Sequence, residues 1–135
     1  GINFDDEGFG IINGRYVIAC TTTFGGVGDY IDFYLQDGTV LACVIGDIKS
    51  ESDANWTRFG HTTPPNGLSV VEFVVDKTSW YGSGHANPGT PSCHPEWKQQ
   101  IVSASKVGSF DGASATQVGG LASCSAAIIR ATIAR

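Results

Sequence analysis

The run Asp29-Tyr30-Ile31-Asp32-Phe33-Tyr34-Leu35-Gln36-Asp37-Gly38-Thr39-Val40-Leu41-Ala42-Cys43-Val44-Ile45-Gly46-Asp47 decides the fold class. Its first seven residues alternate well enough for a strand with one wet face. Asp37-Gly38 then separates two strand-like segments. That dipeptide is the strongest short hairpin signal, because a tight turn needs positive φ. The returning segment, Val40 to Ile45, is apolar on both faces and so belongs in the middle of a covered sheet.

Working outward, Arg15-Tyr16-Val17-Ile18-Ala19-Cys20-Thr21-Thr22-Thr23-Phe24 is β-branched and aromatic and stops at Gly25-Gly26. Ser69-Val70-Val71-Glu72-Phe73-Val74-Val75-Asp76 reads as another strand. Ile101 to Ser105 reads as a last one. Residues 5–13 look like a lead-in rather than an element. Residues 48–68 form a polar loop long enough to suggest function. Residues 77–95 form an irregular lobe rich in Gly, Pro, Ser and His. The segment 126–130 fits either a short helix or a strand docking back on the body. The expectation is one mainly β domain over 1–135, its body at about 14–110 and a tail or docking segment at 111–135.

Composition agrees. The 135 residues hold 18 glycines and carry a net charge of −5. Glycine beside β-branched runs favours strands with many turns. No Lys/Arg cluster exists, so nucleic acid and anionic membranes are poor partners. No apolar run reaches transmembrane length, and the first residues do not read as a signal peptide. The absence of methionine suggests a processed or excised chain. A monomer that meets a neutral or mixed-charge polymer is the expectation. Cys20, Cys43, Cys93 and Cys124 form an even set without a CxxC pattern. Disulfides in an oxidising compartment are expected, with three connectivities open. The alternative is that Cys20 and Cys43 are buried reduced thiols.

Glu72 and Asp47 are the candidate catalytic residues. On a strand, Val70, Glu72 and Val74 share one face. A carboxyl among valines is partly desolvated, which favours its proton-bearing form, the form that protonates a leaving glycosidic oxygen. The alternative is an outer-face Glu72 paired with Lys or Arg. Asp47 ends a buried strand where it opens into the long loop, a favoured place for a reacting group, or for an Asx turn. Trp56, Trp80 and Tyr81 are candidate substrate contacts, since loop aromatics make platforms for sugar rings, and they would serve equally as anchors over a core, as would Trp97. His61 is a further candidate, to bind substrate or orient a carboxylate, the alternative being a solvated loop histidine. His61, His85, Cys93 and His94 have the composition of zinc ligands but match no familiar spacing, so no metal or cofactor is expected.

Taken together, a strand, a strand opening Gly-Asp, an Asp-Gly hairpin, an apolar strand ending in Asp47, a polar loop and a strand with a central acid resemble a small six-stranded double-psi β-barrel. The resemblance is to the cell-wall-active barrels of membrane-bound lytic transglycosylase A, of the three-aspartate domains, and of resuscitation-type and phage-tail proteins. Val44-Ile45-Gly46-Asp47 matches that group's first acid position. Val70-Val71-Glu72-Phe73 matches its second, with Glu in place of Asp. The glycine-rich segment after the first acid is replaced by Ile48-Lys49-Ser50-Glu51. The resemblance implies little helix, a peptidoglycan-like glycan as partner, an extracellular or wall-associated setting (or a phage particle), and Glu72 as acid/base. A non-catalytic wall-binding or phage-tail barrel is the alternative, and a metallopeptidase using His61, His85 and His94 a third.

Overall fold

The computed structural model describes residues 1–50, 71–84, 94–97, 99 and 101–110, and the backbone of 128–132. The chain is mainly β. Its strands are β1 (Asn3–Phe4), β2 (Gly10–Ile12), β3 (Arg15–Cys20), β4 (Asp29–Leu35), β5 (Val40–Ile48), β6 (Glu72–Asp76), β7 (Ile101–Ser109) and β8 (Ile128–Thr132), with one α-helix, α1 (Lys77–Gly82), among the described residues.

Two hairpins set the register. Between β4 and β5, Leu35 N–H donates to the Thr39 carbonyl at 2.8 Å. Gly38 takes φ +92°, and Asp37 Oδ1 accepts the Thr39 amide at 2.9 Å. That bond leads the contacts that hold the Asp37 carboxyl below its ordinary range. Between β2 and β3, Ile12 pairs with Arg15 around Asn13-Gly14, both at positive φ. This is the two-residue Asn-Gly turn whose twist suits a hairpin.

β5 is central. It runs parallel to β3 and antiparallel to β4, and β4 pairs onward with β7. The other edge of β3 is divided. Its first residues pair with β2, and Ile18 and Ala19 pair with β6, which pairs onward with β8. Among the described residues β7 and β8 each have one strand neighbour. The sheet is therefore mixed and open, and the strands do not close into the six-stranded barrel expected.

Strand alternation sorts the side chains. One face gives the main core: Ile18 and Cys20, Ile31, Phe33 and Leu35, Leu41, Cys43 and Ile45, Phe73 and Val75. The opposite face carries a smaller cluster of Ile12, Val17, Val44 and Val74. β5 contributes buried residues to both, as its two-sided apolar pattern requires. Phe9 meets Tyr16, Phe73, Trp80 and Trp97 edge-on at 5.1–5.8 Å, tying the N-terminal segment and α1 to the main core. α1 begins where Asp76 caps it, accepting the Ser79 amide at 2.9 Å. Among the described residues no helix is long and apolar enough to cross a membrane.

Candidate functional site

Asp47 and Glu72 come from strands that both pair with β3. Ala19 is the register partner of Asp47 on one side and of Glu72 on the other. Paired residues on neighbouring strands project to the same face. The two acids therefore occupy one cross-strand row, with a single methyl group between them. Two strand spacings separate their backbones by about 10 Å.

A bulge makes this row possible. The β3–β5 register runs Ile18↔Ile45 and then Ala19↔Asp47, so Gly46 is the extra residue. Without it, alternation would turn Asp47 to the main-core face with Cys43 and Ile45. Asp47 is half-buried, and its Oδ1 accepts the Ile48 amide at 2.8 Å. That amide belongs to the next residue, one short of the amide an Asx turn uses, and Asp47 stands one residue before the end of β5.

Glu72 does not stand among valines alone. Its Oε1 lies 3.5 Å from Lys49 Nζ, with side-chain exposures of 11% and 4%. The pairing with a cation is the alternative setting considered for this residue, but the pair is inside rather than on an outer face. The β3–β5 ladder explains the reach. Lys49 N–H donates to the Cys20 carbonyl at 2.9 Å, which carries the parallel pairing one step further and sets Lys49 beside Thr21. From there the long side chain reaches Glu72 across the end of β3. Thr21 is fully buried, and its hydroxyl has no hydrogen-bond partner among the described residues.

A second row on the same face shows how far such side chains can reach. Asp32 pairs with Ala42, and Arg15 falls one register step before Tyr16↔Cys43, on the other side of Ala42. Across that alanine Arg15 Nη1 meets Asp32 Oδ1 at 2.7 Å, with the guanidinium 4.8 Å above the Tyr30 ring. A small residue in the middle of a row thus lets groups two strands apart converge.

The other candidates are distributed differently. Trp80 is fully buried in the main core, so it serves as an anchor and offers no free face to a sugar. Tyr81 is 47% exposed but follows the far end of β6, four residues past Glu72, or about 13 Å along the strand. Neither joins the Asp47–Ala19–Glu72 row. Trp56 and His61 lie outside the described residues, as do His85, Cys93 and Cys124. His94 is held by carboxylates, its Nε2 3.0 Å from Glu7 and its Nδ1 2.9 Å from Glu96. Its ring is stacked on Trp97 at 3.9 Å. The hydrogen bond with His94 lowers the Glu96 pKa. Among the described residues no group of three or more His, Cys, Asp or Glu is placed to hold a metal ion.

Cys20 and Cys43 are free and buried, the second of the two readings open for them. Burial pushes the Cys20 thiol up to about 12, against the opposing pull of Lys49. Burial likewise raises Cys43 well above its ordinary value. Neither is a nucleophile at neutral pH.

Sequence reasoning named both acids, and the structure sets them in one row. That reasoning missed Lys49, whose signal was available: a lone cation two residues beyond Asp47, on the same side of an extended chain. No family model, no curated protein and no solved structure matches this chain.

Proposed function

We propose that this chain cleaves a cell-wall glycan of the peptidoglycan type, with Glu72 as general acid and then base and Asp47 as the group that stabilises developing positive charge on the sugar. The observation that carries the reading is the shared row. Two carboxylates from different strands face the same side of the sheet with only Ala19 between them. Glycosidic cleavage needs an acid to protonate the leaving oxygen and a second carboxylate near the oxocarbenium-like centre. A lytic transglycosylase fits the sequence resemblance best. In that reaction Glu72 donates its proton to the glycosidic oxygen as the bond breaks. It then accepts the proton of the muramic acid hydroxyl, which closes on the anomeric carbon to give a 1,6-anhydro end. No cofactor enters this scheme. The proposed setting is extracellular, on the wall or on a phage particle, and the proposed form is a monomer.

A second reading is favoured by the Lys49–Glu72 pair. An ion pair this buried satisfies Glu72 without any substrate, as it would in a wall-binding or tail-assembly module with no catalysis. Mass spectrometry of fragments released from purified sacculi separates the two. Anhydro-muropeptides that disappear with Glu72→Gln support the transglycosylase. Reducing ends keep the site but make the reaction a hydrolysis. Binding to the wall with no release supports the module and removes the catalytic roles.

A further inference from the structure

We propose that Lys49 is a positioning residue for Glu72. It draws the carboxylate across β3 toward the strand that carries Asp47, and so sets the direction from which that carboxyl meets a glycosidic oxygen. The inference rests on the reading of Glu72 as the acid of the site.

Three observations lead to it. Lys49 Nζ is 3.5 Å from Glu72 Oε1, and both side chains are largely out of solvent. The backbone of Lys49 is fixed by its bond to Cys20, so the ammonium is delivered from a rigid ladder rather than from a mobile loop. Lys49 is also two residues from Asp47, and the Cα–Cβ directions of the two agree on an extended chain. The cation therefore approaches Glu72 from the side on which the second acid lies.

Among the described residues the groups around Glu72 are few. β3 supplies Ala19 beside it and the unpartnered hydroxyl of Thr21 one step beyond. The β5 side supplies Lys49 and Asp47. On β8 the backbone of Thr132 pairs with Glu72. The Lys49 charge also acts on the Cys20 thiol. An ammonium held by a paired backbone fixes the place of the carboxylate it meets, and a reacting group displaced by about 1 Å loses on the order of a hundredfold in rate.

The test is kcat and KM on soluble peptidoglycan oligomers for the native chain, Lys49→Met, Lys49→Arg and Glu72→Gln, each checked for folding by circular dichroism. With Lys49→Met the carboxylate loses the group that places it, so kcat falls about tenfold or more while KM holds. A folded Lys49→Met with native kcat overturns the proposal. Should Lys49→Met not fold, Lys49→Arg decides. The broader guanidinium displaces the carboxylate, so kcat falls about tenfold or more while KM holds, and a native kcat overturns the proposal. Glu72→Gln keeps the two levels apart. If it abolishes turnover while the Lys49 variants behave as native, only the role of Lys49 is lost. If the native chain or Glu72→Gln shows that no reaction depends on Glu72, the underlying reading fails and the proposal with it.

Discussion

Asp47 and Glu72 flank Ala19 in one row across β5, β3 and β6. A methyl group is the smallest side chain that still belongs in a strand, and here it is the side chain that stands between the two acids in the row. Ala19→Leu would fill that space. Overpacking of this kind costs about 1–3 kcal/mol, which urea unfolding would register. If the two acids act together as proposed, turnover should fall further than stability, because the added bulk sits between them. A folded Ala19→Leu with native turnover would place the reaction elsewhere.

Gly46 sets the parity of the row. Deleting it removes the bulge and turns Asp47 toward the main-core face. The expected result is a large drop in thermal stability together with loss of glycan release. A deletion variant that melts and turns over like the native chain would mean that Asp47 does not act from this row.

The Lys49–Glu72 pair makes a stability prediction independent of function. Breaking a buried pair by removing one partner leaves the other charge uncompensated and costs about 3–5 kcal/mol. Lys49→Met should show a loss of that size in urea unfolding. Replacing both partners with apolar residues, Lys49→Met with Glu72→Leu, should recover most of it. A single variant within about 0.5 kcal/mol of native would show that the pair is solvated rather than inside.

Acid should weaken this fold through named carboxylates. Hydrogen bonds from Ser79 lower the Asp76 pKa below its ordinary value of 3.8. Contacts with Thr39 lower that of Asp37, and His94 lowers that of Glu96 from 4.5. A carboxyl whose folded pKa is depressed binds its proton less readily folded than unfolded. Its stabilisation is thus complete above the unfolded value and lost as pH falls through the folded one. Melting temperature should hold steady from neutrality down to about pH 5 and fall below about pH 4. Asp76→Ala, which also removes the α1 cap at a cost of about 1 kcal/mol, should make that fall shallower. An unchanged slope would assign the acid sensitivity to other groups.

The two buried thiols predict a labelling pattern. Cys20 and Cys43 are closed to solvent and held protonated by burial, so iodoacetamide should modify them only after denaturation. Peptide mapping that finds either one labelled in the native state would contradict their place in the main core.

Much of this arrangement was legible in the sequence because period-two patterning and turn chemistry are local. The Asp37-Gly38 hairpin, the central position of Val40–Ile45 and the strand around Glu72 all follow from neighbouring residues. Asn13-Gly14 carried the same kind of signal and was passed over, because β2 has only three residues and its apolar run is too short to stand out. The Asp76–Ser79 cap that starts α1 was likewise hidden in a segment dominated by Gly and Ser. Other features are set by long-range pairing. Nothing in the sequence near Gly46 announces a bulge, and only the register against β3 reveals which face Asp47 takes. The open ends at β7 and β8 are equally non-local, as is the choice of strand over helix at Ile128–Thr132. Trp80 looked like a loop aromatic because the Phe9 contact that buries it comes from 71 positions earlier in the chain.

The central claim is that Asp47 and Glu72 act as one site. A double-mutant cycle on kcat/KM for glycan release, with Asp47→Asn, Glu72→Gln and both together, tests it most directly. Groups that act as a unit are strongly non-additive. The account predicts that each single variant loses most of the activity and that the double variant is little worse than the poorer single. Losses that multiply independently, or a single variant that keeps native activity, would show that the two acids share a row of the sheet without sharing a function.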